Sequence, residues 1–131
     1  MYKLNTEVDI TLRDFVSNVG SDVLGGAMLI HRNGFVVSSV TKDGVDAKSL
    51  GAVFAAVKGA IDKMFSKVGI GSANLLLFRA GNYLIAMSPI NNEVILVSLA
   101  RHDSNLGLIL IGLIMLERGL KRYFTTEDFA Y

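Results

Sequence analysis

Cysteine is absent from this chain of 131 residues. That removes disulfides, thiolate nucleophiles and thiolate metal sites from consideration. Histidine occurs twice and proline once. An excess of one charge is also missing: 13 Lys and Arg stand against 12 Asp and Glu, for a formal charge of +1, and the cations are scattered. Binding to a phosphate backbone needs several cations on one face, so nucleic acid is not expected as a main partner. Long apolar runs are lacking too. The most apolar stretch, Leu106 to Leu116, is about half the ~20 residues that a membrane span requires, and Glu117-Arg118 closes it. A buried helix is expected there. The opening Met1-Tyr2-Lys3-Leu4-Asn5-Thr6-Glu7 carries no apolar secretion core. Together with the missing cysteines, this gives a cytoplasmic expectation.

What is present is apolar. Hydrophobic residues make up 51% of the chain and charged residues 19%, on the high and low side of ordinary globular usage. The length suits one domain. The surplus of apolar residues points to extra buried surface, in the core or between chains.

The periodicity predicts eight elements in the order helix, strand, strand, helix, strand, strand, strand, helix. Thr6 is a candidate cap for a first helix in which Val8, Leu12, Phe15, Val16 and Val19 keep helical spacing, with Gly20 as its stop. Gly25-Gly26 marks a break before a strand over Ala27 to Arg32. Asn33-Gly34 then suits a two-residue turn into a second strand, Phe35 to Val40. Asp46 caps a long helix that ends at Gly69 and Gly71. Three strands follow, about Asn74 to Arg79, Tyr83 to Met87 and Glu93 to Ala100, turned at Gly81-Asn82 and Asn91-Asn92. Asp103 or Ser104 caps a last helix over about Asn105 to Tyr123. Tight turns make the neighbouring strands antiparallel. The expected architecture is an α/β three-layer sandwich, a five-stranded antiparallel sheet with the long helix on one face and two helices on the other. Residues 1–123 form one domain and 124–131 a tail.

Motifs that carry chemistry are not found. Gly69-Ile70-Gly71-Ser72-Ala73-Asn74 follows a helix and enters a strand, the reverse of a nucleotide-binding loop. His31 and His102 have no ligand partner at metal spacing. No Gly-x-Ser-x-Gly elbow frames a serine, and the carboxylates are spread over loops, caps and helix surfaces. Arg32, Arg79 and Arg101 lie at strand ends, where solvated charge is the ordinary reading and a bound phosphate the alternative. No catalytic residue, cofactor or metal is expected.

The long helix is unusual on both sides. Leu50, Val53, Phe54, Val57, Ile61, Met64 and Phe65 supply a face able to cover a sheet. Gly51, Ala52, Ala55, Ala56 and Gly59 stand where charge is normally found. Glycine costs about 1 kcal/mol relative to alanine inside a helix, so two on one face suggest that another backbone comes close. A partner or dimer interface is expected over these five residues, rimmed by Lys48, Lys58, Asp62, Lys63 and Lys67. The last helix is apolar nearly all round, from Leu106 to Leu116. It needs burial on a second side, either as second-layer core or as a further contact surface.

The residues resemble the roadblock domain, the family of dynein light chain roadblock-type and MglB-like proteins. The likeness runs from about Thr6 to Lys121. It rests on Gly26-Ala27, Asn33-Gly34, Gly44-Val45-Asp46-Ala47 with Gly51-Ala52 a turn later, and the stretch from Leu96 to Leu108 with its Asn105-Leu106-Gly107 step. The resemblance is consistent with a prokaryotic, particularly archaeal, single-domain member. It implies a non-catalytic homo- or heterodimer whose edge strands join into one sheet. Its paired central helices would form a platform for a small Ras-like GTPase. Regulation of the GTP cycle, by activation of hydrolysis, is one implied role. A scaffold or light-chain-type subunit with no effect on turnover is the other. The tail through Tyr131 departs from the family pattern.

Overall fold

Alternation in the strands decides which helix lies on which side of the sheet. The computed structural model describes residues 2–19, 24–42 and 44–124. It contains α1 (Tyr2–Val19), β1 (Leu24–His31), β2 (Val36–Thr41), α2 (Ala47–Lys67), β3 (Leu76–Ala80), β4 (Tyr83–Pro89), β5 (Val94–Arg101) and α3 (Leu106–Lys121). The five strands form one antiparallel sheet in the order β2-β1-β5-β4-β3. On one face, Met28, Ile30, Ile85, Met87, Ile95, Val97 and Leu99 meet Phe54 and Ala55 of α2. On the other, Ala27, Leu29, Ala86, Val94 and Leu96 meet Val8 and Leu12 of α1 and Leu113, Leu116 and Leu120 of α3. β5 sits in the middle of the sheet and is buried on both faces from Val94 to Ala100. This is the expected three-layer sandwich, with the predicted order of elements.

Three local expectations are corrected. Thr6 is not a cap, because α1 already begins at Tyr2. Gly20 and Val19's side chain lie outside what the structure describes, as do Asp43 and Thr125–Tyr131. Gly26 does not precede the first strand but lies inside it, at φ 153°, beside an irregularity in the β1–β5 register between Leu24 and Gly26. A bulge of this kind uses glycine to bring two backbones close. The first hairpin is not a two-residue turn. No residue other than glycine has positive φ among those described, so Asn33 does not adopt the conformation that such a turn needs. Gly34 alone does, at φ 105°; its N–H donates to the His31 carbonyl at 2.8 Å, and the His31 N–H donates to the Phe35 carbonyl at 2.8 Å. The result is a three-residue loop, Arg32 to Gly34.

Helix ends follow the capping rules. Asp46 caps α2: one carboxylate oxygen accepts from the Ser49 N–H at 3.2 Å and the other from the Ser49 hydroxyl at 2.6 Å. Those two bonds hold the Asp46 carboxyl below its ordinary 3.8. A lowered folded-state pKa contributes stability that is present above the unfolded value and lost as pH falls through the folded one. Melting temperature should therefore fall on acidification below about pH 4, and Asp46→Asn should flatten that part of the profile; thermal melts across the range check it. At α3 the cap is Asn105, whose side-chain oxygen accepts from the Leu108 N–H at 3.1 Å, rather than Asp103 or Ser104.

The Asn91-Asn92 turn has a second task. Asn91 Oδ1 accepts from the N–H groups of Glu93 and Val94, both at 2.8 Å, and its Nδ2 donates to the Phe124 carbonyl at 2.7 Å. This ties the β4–β5 hairpin to the residues just after α3. Phe124, the first residue of the expected tail, is itself buried in the core. Asn91→Ala removes three hydrogen bonds at a partly buried site and should cost about 2–3 kcal/mol, read as a lower urea midpoint at unchanged slope.

Candidate functional site

Helix α2 owes its position to close approach at one end. A Cβ on Gly51 would lie 3.0 Å from Val36 Cγ2, 3.2 Å from the Gly34 carbonyl oxygen and 3.3 Å from Ile30 Cγ2. A side chain there would press on the hairpin, and its neighbours would have to give by a few tenths of an ångström. Ala55, one turn on, is buried among the sheet residues, and Phe54 meets Phe78 edge-on at 6.4 Å between ring centres. The inward side of α2 thus consists of Gly51, Phe54, Ala55 and Lys58.

This corrects the face read from the sequence. Gly51 and Ala55, expected outside, point into the molecule. Val53 and Met64, expected to cover the sheet, stand 53% and 58% exposed. The outer surface carries Ala52, Val53, Ala56, Gly59, Ala60, Lys63 and Met64, with Lys48 also exposed at one end. It is still a surface of small residues, but it gains two large apolar ones. Of the expected rim, Lys48, Lys63 and Lys67 are in the open, whereas Lys58 is not on the rim but buried on the inward side of the helix. Asp62 is half-buried: one carboxylate oxygen accepts from the Ala73 N–H at 2.8 Å and the other from Lys58 Nζ at 2.5 Å. The missed residues carried a signal. At 100° per residue, Ala52, Val53, Ala56, Ala60 and Lys63 share one side once Gly51 is placed inward.

A second unpartnered surface lies on the opposite side of the sheet. Helix α3 turns Ile109, Leu113, Leu116 and Leu120 to the core and leaves Leu108, Ile111, Ile114 and Met115 at least half exposed. Of the two expectations for this helix, second-layer core is excluded in the isolated chain. Near it, with Leu75 and residues of α3 lining one shallow cavity, lies the edge of β3, which among the described residues pairs with β4 alone and leaves Leu75 and Leu77 partly exposed.

Among the described residues, no group of three His, Asp or Glu residues could hold a metal ion. His31 stacks on Phe35 at 4.5 Å, with Nε2 3.9 Å from Glu93. His102 is exposed, and Arg101 pairs with Asp103 at 3.3 Å. Two buried serines pin helices to the sheet: the Ser38 hydroxyl donates to Asp9 of α1 and the Ser88 hydroxyl to Glu117 of α3. Among the described residues, no helix is long and apolar enough to cross a membrane.

The arrangement is that of the roadblock/LC7 fold. Myxococcus xanthus MglB matches with a TM-score of 0.83 at 16% identity over 95% of both chains. A Roadblock/LC7 domain from Streptomyces avermitilis matches with a TM-score of 0.77 at 18% identity, over 88% of this chain and 95% of that one. The related profilin fold also matches: Schizosaccharomyces pombe profilin gives a TM-score of 0.60 at 14% identity, over 86% of this chain and 94% of that one. No family model matches the chain. Two uncharacterized proteins of Methanocaldococcus jannaschii, MJ0310 and MJ0714, are each 31% identical to it. The matches span 86 and 91 residues, which is 66% and 70% of this chain and 75% and 76% of theirs. The chain belongs to the family of these M. jannaschii proteins, built on the roadblock fold.

Proposed function

We propose that this protein is a cytoplasmic, non-catalytic dimer that binds a small Ras-like GTPase on its central helices and modulates its GTP cycle. The observation that carries the reading is the outer face of α2. Ala52, Ala56, Gly59 and Ala60 present little side chain beyond Cβ, so a second backbone can approach closely, and Val53 and Met64 add apolar contact. Such a patch on a surface is characteristic of contact sites, and Lys48 and Lys63 provide a polar rim. The roadblock resemblance implies a GTPase platform on this helix, which supports the reading. The free β3 edge suits the edge-to-edge dimer that the same resemblance implies. Gel filtration of the protein with the host's Ras-like GTPase, loaded with GTP or GDP, tests the reading. A complex that depends on the nucleotide supports it.

The exposed face of α3 favours a second reading, a scaffold subunit with no effect on turnover. Leu108, Ile111, Ile114 and Met115 offer a contact surface on the far side of the sheet from α2. A chain with apolar contacts on both faces can hold two partners together. A stable complex indifferent to the nucleotide would select this reading.

A further inference from the structure

Lys58 is the one residue of α2 whose burial neither the core nor the outer platform explains. It lies on the inward side of the helix and is 6% exposed. Its Nζ donates to Asp62, and among the described residues it has no other partner. An ammonium group carries three N–H donors, so two remain unused. Asp62 is also shared, since its second oxygen holds the Ala73 N–H. A lysine serving only to brace Asp62 could do so from the surface, as Lys121 does opposite Glu117 with 57% of its side chain exposed. Sinking the cation beside a single shared carboxylate is unfavourable unless something else returns its lost hydration.

A cavity of about 580 Å³ opens against this group, walled by α2, the first hairpin loop, the β4–β5 turn and the loop before β3. Its volume is that of a small-molecule site. Arg32 lies in its wall and forms no ion pair among the described residues. Ser72, Asn74 and Asn92 also line it, and among the described residues their side chains take no hydrogen bond from the protein. The cavity therefore presents two cations against one engaged carboxylate, together with neutral donors from two separate loops. Oxyanions are the chemistry that satisfies such a set, because charge-assisted bonds to oxygen use the spare N–H groups of Lys58 and the guanidinium fork of Arg32.

We propose that this cavity binds a small organic anion, bearing a phosphate or carboxylate group, between Lys58 and Arg32. The site is separate from the outer surface of α2, and its occupancy would be felt at Gly59, which borders both.

The test is titration of the full-length protein with inorganic phosphate, adenosine monophosphate and citrate in turn, at constant ionic strength, followed by amide NMR. At least one probe should produce saturable shifts clustered at Gly59, Asn74 and Asn92. Binding of phosphate and the nucleotide without citrate assigns a phosphate group; citrate alone assigns a carboxylate. Lys58→Met, which keeps the bulk and removes the charge, should weaken binding about tenfold or more. Arg32→Glu, an exposed change that leaves the core untouched, should abolish it. The proposal is overturned if none of the three gives a saturable shift up to about 10 mM, ten times a millimolar Kd. It is equally overturned if Arg32→Glu binds as the wild type does, whether or not the Lys58 variant folds.

Discussion

Gly26→Ala should destabilise the fold by about 4 kcal/mol, lowering the melting temperature by ~15 °C. Two effects combine. Alanine at φ 153° is strained, by about 1–3 kcal/mol for such regions. Its Cβ would also lie 2.6 Å from the Val40 carbonyl oxygen and 2.9 Å from Thr41 Cα, both backbone atoms of β2 that cannot swing aside. β1 is flanked by β2 and β5, so relief requires the sheet to shift. Thermal melting by circular dichroism measures the loss. A variant within about 1 kcal/mol of wild type would mean that the chain does not make its bulge at Gly26.

The second large effect concerns binding rather than folding. Ala56→Arg places a long cation in the middle of the outer α2 surface. It should weaken the complex with the GTPase by about thirtyfold or more, the scale of an interface hot spot. Stability should hold, because Ala56 is exposed and exposed substitutions are usually worth less than about 0.5 kcal/mol. Ala55→Arg is the instructive contrast. Sequence spacing makes Ala55 look like the centre of the platform. With the residue only 7% exposed and packed in the cluster between α2 and the sheet, the arginine would disturb that packing and destabilise the chain. Lost binding in that variant would therefore say nothing about the surface. Binding isotherms together with melts for both variants separate the two cases.

That contrast shows where sequence reasoning succeeds and where it stops. The strands, the Gly81-Asn82 turn and the Asp46 cap are local properties and appear where local rules place them; the first hairpin turns where Asn33-Gly34 sits, but as a three-residue loop. Helix orientation is not local. Large apolar residues inward and small ones outward is a sound rule for a helix resting on a flat sheet, yet α2 crosses the β1–β2 hairpin with Gly51 at the point of close contact. That contact rotates Ala55 inward and Val53 and Met64 outward. Gly26 failed to mark a boundary for a related reason: glycine at a chain break and glycine at a bulge look alike until the neighbouring strand is in place. Lys58 is the clearest case of information absent from the sequence. Its spacing from Asp62 is that of an ordinary surface pair, and its burial arises only when loops from three parts of the chain close around it.

The central claim is that the outer face of α2 acts on a GTPase. The most direct measurement is the rate of GTP hydrolysis by the host's Ras-like GTPase with and without this protein, with oligomeric state determined on the same sample. The expected result is a dimer, a higher hydrolysis rate when it is present, and loss of that increase with Ala56→Arg. An unchanged rate with no complex, at concentrations where the wild-type protein is dimeric, would contradict it.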